Sequence, residues 1–193
     1  MSELFKNKFR IPSARLQTWD YANNGMYFIT ICTKNKEYFF GDIVQSADVE
    51  TQCIASLQTM QLNDFGKIVE AEWLKTYELR SDMNLELGEY VVMPNHFHGI
   101  ISIGDNQYNT EEEDVDLVNY RKNKFGPQSK NLASVIRGFK SSVTTFARKN
   151  DMLFDWQTRF HDHIIRTDDE YYRIANYIIN NPGNWQEDKF YIK

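Results

Sequence analysis

The chain has 193 residues, 41% of them hydrophobic and 15% aromatic, which is typical of a folded globular protein and excludes a disordered chain. The length suits one buried core, so we expect a single domain over residues 1–193. No apolar run approaches the ~18 residues of a membrane span, and the N-terminus has no signal-peptide hydrophobic region. We therefore expect a cytoplasmic protein with no membrane partner, in which Cys32 and Cys53 are reduced.

Charges are segregated along the sequence. The net charge of −5 argues on average against a polyanionic partner. Acidic residues nevertheless gather in "TEEEDVD" (residues 110–116), whereas residues 117–150 contain no Asp or Glu. This asymmetry predicts either a local polyanion-binding face or a solvated surface beside an acidic loop. The cations concerned are Lys6, Lys8, Arg10 and Arg15 near the N-terminus, and Arg121, Lys122, Lys124, Lys130, Arg137, Lys140, Arg148 and Lys149 in and around the acid-free span.

The first half of the chain predicts a strand, a helix and a β-hairpin. The segment "GMYFITICTKN" is rich in aromatic and β-branched residues, which is typical of a strand, and we expect it to be the first. The segment "MQLNDFGKIVEAEWLKTYEL" has apolar residues at helical spacing, with Asn63 or Asp64 as its cap. Pro94 and Asn95 separate two apolar runs, "NLELGEYVVM" and "HFHGIISIG", and predict the turn of an antiparallel hairpin.

The second half predicts a long loop, a helix, a short strand and a final helix. Residues 105–130 are polar and charged, as in a long loop or insertion. The helix "NLASVIRGFKSSVTTFARKN" has an apolar face and a second face with Arg137, Lys140, Thr144 and Arg148. The strand "DWQTRFHDHIIRT" follows, and Thr167 caps the last helix. Helices interspersed with an antiparallel sheet predict an α+β sandwich of the ferredoxin-like type.

The segment "EYVVMPNHFHGIISI" places two histidines, His96 and His98, around Phe97 on one predicted strand. Residues two apart on a strand face the same side, with Cα atoms ~6.5–7 Å apart, so the imidazoles can converge on one ion while Phe97 points to the core. The spacing alone leaves three alternatives: a hydrogen-bonded pair, a zinc site or a phosphate-handling metal site. His161 and His163 form a second such pair.

The last helix carries Tyr177 four residues before Asn181, on a face that differs from its packing stripe. The phenol and the amide oxygen therefore lie on adjacent turns. If this helix crosses the sheet face of the histidines, Asn181 can complete a metal shell beside the Tyr177 hydroxyl. A tyrosine used only for packing is the alternative.

Several blocks of the sequence together resemble the single-tyrosine HUH transposases, in particular those associated with repetitive extragenic palindromes (REPs). The blocks cover nearly the whole chain and occur in the order of that family. They are "YANNGMYFITICTKNKEYFFG", "YVVMPNHFHGIISI", "VIRGFKSSVT", "FDWQTRFHDHIIR" and "YIINNP".

The resemblance implies a ferredoxin-like or RRM-like domain, with the HUH motif on a central strand, that nicks single-stranded DNA next to a hairpin or palindromic repeat. It implies that His96, His98 and Asn181 bind a divalent metal, Mg²⁺ or Mn²⁺, and that Tyr177 is the nucleophile. In the family the tyrosine retains the 5′ end and a 3′ hydroxyl is released. It also implies a nucleoid-associated location, and it leaves open whether the protein is a monomer or a homodimer.

Four cations are our candidates for contact with DNA phosphates: Arg10, Arg15, Arg137 and Lys140. For the second histidine pair we expect hydrogen bonding or contact with the DNA backbone. Two other functions fit the sequence: a domesticated hairpin-binding protein without transposition activity, and a zinc hydrolase that uses both histidine pairs. Asparagine oxygen suits magnesium, whereas two imidazoles favour manganese or zinc.

Overall fold

A computed structural model describes residues 19–46, 57–109 and 129–192, together with the backbone of two short paired strands, β1 (Leu4–Phe5) and β2 (Lys8–Phe9). The central sheet is antiparallel and consists of β3 (Gly25–Cys32), β6 (Leu85–Met93), β7 (His96–Ile103) and β8 (His161–Ile165), in the order β6-β7-β3-β8. A separate hairpin pairs β4 (Gly41–Ser46) with β5 (Leu57–Leu62). His96 and His98 therefore lie at the start of a central strand.

One face of the central sheet is covered by two helices, α1 (Asp64–Glu78) and α2 (Leu132–Lys149). Asn63 caps α1 and Asn131 caps α2, each accepting a hydrogen bond from a backbone N–H of the first turn. Trp73 of α1 and Phe139 of α2 both contact Phe97 of β7, with ring centroids 4.8 and 5.4 Å away. The main core lies here, and Phe97 points into it as the sequence predicts.

The opposite face carries the last helix, α3 (Asp168–Asn180). Its buried residues Ile174, Ala175 and Ile178 form a second, smaller cluster with Ile100 and Ile165 of the sheet. Thr167 caps the helix, and its N-terminus bears three acidic residues, as its dipole favours. Because side chains alternate along β7, α3 lies on the same face of the sheet as His96 and His98.

The α+β fold with a central antiparallel sheet is confirmed. The hairpin of β4 and β5 was not predicted: residues 60–62, which stand at the start of the segment that predicts α1, belong to β5. The helix begins at Asp64 with Asn63 as its cap, one of the two predicted caps. The strand at Gly25 is also preceded by β1 and β2. Residues 110–128, most of the predicted long loop, lie outside the described residues, and no helix in the described ranges is long and apolar enough to cross a membrane.

Candidate metal centre and nucleophile

His96 and His98 are buried at the start of β7, with 0% and 1% of their surface exposed. In the sheet register His96 lies opposite Cys32 and His98 opposite Thr30 of β3. The two imidazole centroids are 4.5 Å apart. Strand alternation thus brings the rings to one point on the side of the sheet opposite Phe97.

Hydrogen bonds define the orientation of the His96 ring. Asn95 donates both of its Nδ2 hydrogens to backbone carbonyls, those of Lys36 (3.0 Å) and Phe190 (2.9 Å), so its Oδ1 is the acceptor that faces His96 Nδ1 at 2.9 Å. His96 Nδ1 therefore carries the proton and Nε2 keeps its lone pair. In the same way, Nδ1 of His98 lies 2.9 Å from Thr30 Oγ1. Such outer partners are what metal-binding histidines use to orient their rings.

Helix α3 brings Tyr177 and Asn181 to the same point. The Tyr177 hydroxyl lies 3.2 Å from His98 Nε2, and its ring packs edge-on against Phe28, 6.1 Å away. Asn181 is buried at the C-terminal end of α3, and its Nδ2 donates to Asp188 Oδ2 at 2.9 Å, the same oxygen that lies 3.4 Å from the Tyr177 hydroxyl. The structure thus brings together the four side chains that the sequence predicts to meet: His96, His98, Tyr177 and Asn181.

Unpartnered buried atoms mark this point as a site. Among the described residues, three buried side-chain nitrogen or oxygen atoms make no hydrogen bond, and two of these are His96 Nε2 and Asn181 Oδ1. A buried polar atom without a partner is costly unless a ligand satisfies it. Both atoms are metal-ligand types, so the residues present fit a divalent cation.

Asp188 is the site residue that sequence reasoning missed. Its carboxylate, with His96 and His98, forms a group whose ligand atoms all lie within 4.8 Å of one another, so these three residues could hold a metal ion. Oδ2 of Asp188 accepts hydrogen bonds from Asn181 Nδ2 (2.9 Å) and the Tyr177 hydroxyl (3.4 Å), and Oδ1 accepts one from Phe190 N at 2.6 Å. The sequence signal was only a carboxylate seven residues beyond Asn181, with no periodicity to tie it to the histidines.

Electrostatics keeps the imidazoles neutral and the phenol protonated. Burial, followed by the charges of Lys189 and Lys36, lowers the pKa of His96 to about 3. Burial and the neighbouring His96 hold the pKa of His98 well below its usual value. Burial, followed by the Asp188 carboxylate, raises the pKa of Tyr177 to about 12. Neutral imidazoles are the form that binds metals, whereas the phenol needs an acceptor for its proton before it can attack.

Comparison with known proteins establishes a family for this chain. A protein of Haemophilus influenzae, described only as uncharacterized, is 38% identical over 181 residues, which cover 93% of this chain and 92% of the relative. The chain belongs to the same family as that protein. No protein-family model matches the sequence.

Among solved structures, a REP-associated tyrosine transposase bound to a REP hairpin has a similar fold. It is superposed with a TM-score of 0.52 at 18% sequence identity, over 93% of this chain and 77% of the transposase chain. At this level of identity the similarity establishes the fold.

In this member of the family, the C-terminal residues cover the histidines. The Phe190 ring lies 4.5 Å from the His96 ring and 5.9 Å from the His98 ring, and Trp185 packs 5.9 Å from His96. Lys36 closes the same side, since its Nζ donates to the carbonyl of Lys189 at 2.8 Å. Tyr177, with 42% of its surface exposed, and the partly buried Asp188 are the parts of the site that reach solvent.

The second histidine pair lies on the same face of the sheet but outside this group. His161 is opposite Thr30 and His163 opposite Phe28 in the register of β8 with β3. His163 Nε2 is 2.7 Å from Glu170 Oε1, so it joins β8 to the first turn of α3. Within the described residues, the cluster that could hold a metal includes neither histidine, and a zinc site built from both pairs is therefore not formed there.

The predicted phosphate contacts lie elsewhere. Arg137 and Lys140 line an open groove between α2 and the segment that precedes β8. Lys140 Nζ donates to the carbonyls of Gln157 (2.7 Å) and Arg159 (2.9 Å), and burial lowers the pKa of this amine to about 8. Arg10 and Arg15 lie outside the described residues.

Proposed function

We propose that the protein is a metal-dependent endonuclease and strand transferase that nicks single-stranded DNA near hairpins through a covalent 5′-phosphotyrosine. The observation that supports this most directly is the position of the Tyr177 hydroxyl, 3.2 Å from His98 Nε2 and within the same cluster as His96, Asn181 and Asp188. A tyrosine used only for packing would not require two neutral imidazoles beside its hydroxyl, nor two buried ligand atoms without a hydrogen-bond partner in the same cluster.

His96 Nε2, His98 Nε2 and Asn181 Oδ1 are the proposed ligands of the ion, Mn²⁺ or Mg²⁺. We choose Asn181 over Asp188 because Asn181 Oδ1 makes no hydrogen bond among the described residues, whereas both oxygens of Asp188 accept hydrogen bonds. When bound, such an ion neutralises and orients the scissile phosphate.

Tyr177 is the proposed nucleophile. Its Oη attacks the phosphorus, a new phosphorus–oxygen bond forms, and the bond to the 3′ oxygen breaks; the departing oxygen takes up a proton from water and leaves as a free 3′ hydroxyl. Asp188 Oδ2, 3.4 Å from the hydroxyl, is the proposed acceptor of the phenolic proton. Because residues 185–190 cover the imidazoles, this segment has to shift before a phosphate can reach them.

DNA is the proposed partner. The fold is shared with a transposase whose structure contains a REP hairpin, and the blocks that resemble the REP-associated transposases include both the histidine strand and the helix of Tyr177. Covalent storage of the phosphoester allows the retained 5′ end to be joined to another strand, which is the step that transfer requires.

The test is adduct formation by Tyr177→Phe. Wild-type protein with Mn²⁺ and hairpin oligonucleotides carrying single-stranded flanks is expected to yield a protein–DNA adduct that survives a denaturing gel. The Phe variant is expected to form none, because it lacks the attacking oxygen. Tyr172→Phe is the matched control, since Tyr172 lies on the same helix and is 63% exposed.

Two outcomes would contradict the proposal. An adduct formed by Tyr177→Phe would assign the nucleophile elsewhere. Wild-type protein that binds these hairpins, with or without chelator, but never cleaves them would instead indicate the hairpin-binding function without chemistry.

A further inference from the structure

Two open grooves, which meet at the end of strand β3, run between the metal centre and helix α2. The first, of about 670 Å³, lies along α2 and is lined by Arg137, Arg148 and Arg159 with the hydroxyls of Ser141 and Thr144. The second, of about 550 Å³, is lined by Lys34, Asn35 and Lys36. Both grooves are also lined by the four residues Asp155, Trp156, Gln157 and Thr158.

The shared segment lies directly beside the sheet strand that pairs with the histidines. Gln157 N donates to the carbonyl of Cys32 (2.8 Å), and Cys32 is opposite His96 in the register of β3 with β7. Two strand spacings, roughly 10 Å, therefore separate the backbones of His96 and Gln157.

Lys36 connects the second groove to the metal centre. Its Nζ donates to the carbonyl of Lys189. Its own carbonyl accepts one of the two hydrogen bonds that orient the Asn95 amide toward His96. The second groove therefore begins beside the residues that surround His96.

The charge of the two grooves is opposite to that of the chain. Six cations line them, Lys34, Lys36, Arg137, Lys140, Arg148 and Arg159, whereas the lining described includes one carboxylate, Asp155. Asp155 pairs with Lys34 Nζ at 2.9 Å. A strip of excess positive charge on a protein of net charge −5 is a footprint of a polyanion.

We propose that the two grooves form one track for the sugar-phosphate backbone of single-stranded DNA that leads away from the metal centre, an inference that rests on the function proposed above. The track turns from the face of the sheet that carries α3 to the layer that carries α2. A duplex, with a persistence length of about 50 nm, is too stiff to follow such a turn, whereas a single strand can. Lys140 holds the segment 157–159 against α2 through its two carbonyl contacts.

Binding is tested without catalysis, by fluorescence anisotropy of oligodeoxythymidylates with chelator present and Tyr177→Phe as the parent protein. The triple variant Arg137→Gln, Arg148→Gln, Arg159→Gln is expected to bind more weakly and to lower the slope of log affinity against log salt by about 2, at ~0.7 per phosphate contact. Lys149→Gln is the matched control, because Lys149 is exposed on the same helix and does not line the groove.

A gain of affinity provides a second test that misfolding cannot imitate. Asp155→Asn removes the carboxylate from the track and releases Lys34, so it is expected to tighten binding and to steepen the salt dependence by about 0.7. Asp42→Asn, an exposed acid on β4, is its control and is expected to change neither quantity.

The track is refuted if the triple variant binds like Lys149→Gln, if Asp155→Asn does not tighten binding, or if the variants affect duplex binding alone. Because the assay needs neither metal nor the nucleophile, a protein that fails to cleave DNA can still pass it. If the wild-type protein binds DNA through the track but does not cleave it, the proposed function is contradicted. If the wild-type protein cleaves DNA but the track variants bind like their controls, the track is contradicted.

Discussion

Asn95 controls which nitrogen of His96 is available to a metal. Its two donated hydrogen bonds leave only Oδ1 to face His96 Nδ1, and this leaves Nε2 unprotonated. Asn95→Ala removes that acceptor and frees the ring to rotate or to change tautomer. Loss of such an outer partner typically lowers metal affinity by about 10–100-fold, and we expect a decrease of this size in a calorimetric titration with Mn²⁺.

Asn24→Ala is the control for this substitution. Asn24 also donates a side-chain hydrogen bond, to Asp105 Oδ1 at 2.8 Å, but it lies at the far end of β3 from the histidines. Its substitution is expected to leave Mn²⁺ affinity unchanged. Equal affinities of the Asn95→Ala variant and the wild type would mean that the ring is oriented without Asn95.

Single residues of the site were predictable where periodicity linked them. His96 and His98 follow strand alternation, and Tyr177 and Asn181 follow the helical repeat, so each pair could be placed on one face from sequence alone. Asp188 and the role of Asn95 depend instead on how the C-terminal residues fold back over β7. That contact joins distant parts of the chain, 95 residues apart in the hydrogen bond from Asn95 to the Phe190 carbonyl, and no local pattern encodes it.

At the scale of elements, α1 docks by a close approach of its first turn to the residues after β3. The carbonyl of Phe40 accepts a hydrogen bond from Asn63 N, and the N–H groups of Phe39 and Phe40 donate to the carbonyl of Pro94 in the β6–β7 turn. A Cβ on Gly66 would overlap with the Phe40 carbonyl oxygen. Position 66 therefore requires glycine, because a side chain there would clash with the backbone of Phe40, which cannot rotate away as a flexible side chain can.

Gly66→Ala is expected to lower the free energy of unfolding by roughly 1–3 kcal/mol, because α1 or the Phe40 segment must move apart. Chemical denaturation measures the change. Gly183→Ala is the matched control, since a Cβ at Gly183 meets no atom within 4 Å, and it should be nearly neutral. If both substitutions cost the same, the close packing of α1 on Phe40 does not contribute to stability.

Strong periodicity made α2, α3 and the β6–β7 hairpin predictable, whereas the hairpin of β4 and β5 was not. β5 contains Met60 and Leu62 beside the first residues of α1, so its apolar positions merge with the helical pattern. Its partner β4 contributes Ile43 and Val44 from an earlier part of the chain. A strand of this kind is specified by non-local pairing, which a single sequence does not reveal.

In the molecule as a whole, one face of the central sheet forms the main core and the other carries the candidate site. The face of Phe97 holds the main core with α1 and α2, and it provides most of the buried apolar surface. The other face holds α3 over a small apolar cluster, with the histidines beside it. Since α3 and the C-terminal residues pack through fewer apolar side chains, we expect a metal between β7 and α3 to contribute substantially to holding this layer in place.

Metal binding is therefore expected to stabilise the fold and to do so locally. An ion that binds only the native state, present at a free concentration of a hundred times its Kd, adds about 2.7 kcal/mol to the free energy of unfolding. Mn²⁺ should accordingly raise Tm, and hydrogen exchange should slow in α3, at the start of β7 and in residues 182–192 rather than in α1. The double variant His96→Ala, His98→Ala should show neither effect. A Tm shift that persists in this variant would place the ion away from the histidines. Protection from hydrogen exchange that extends equally over α1 and α2 would contradict a local stabilisation by the ion.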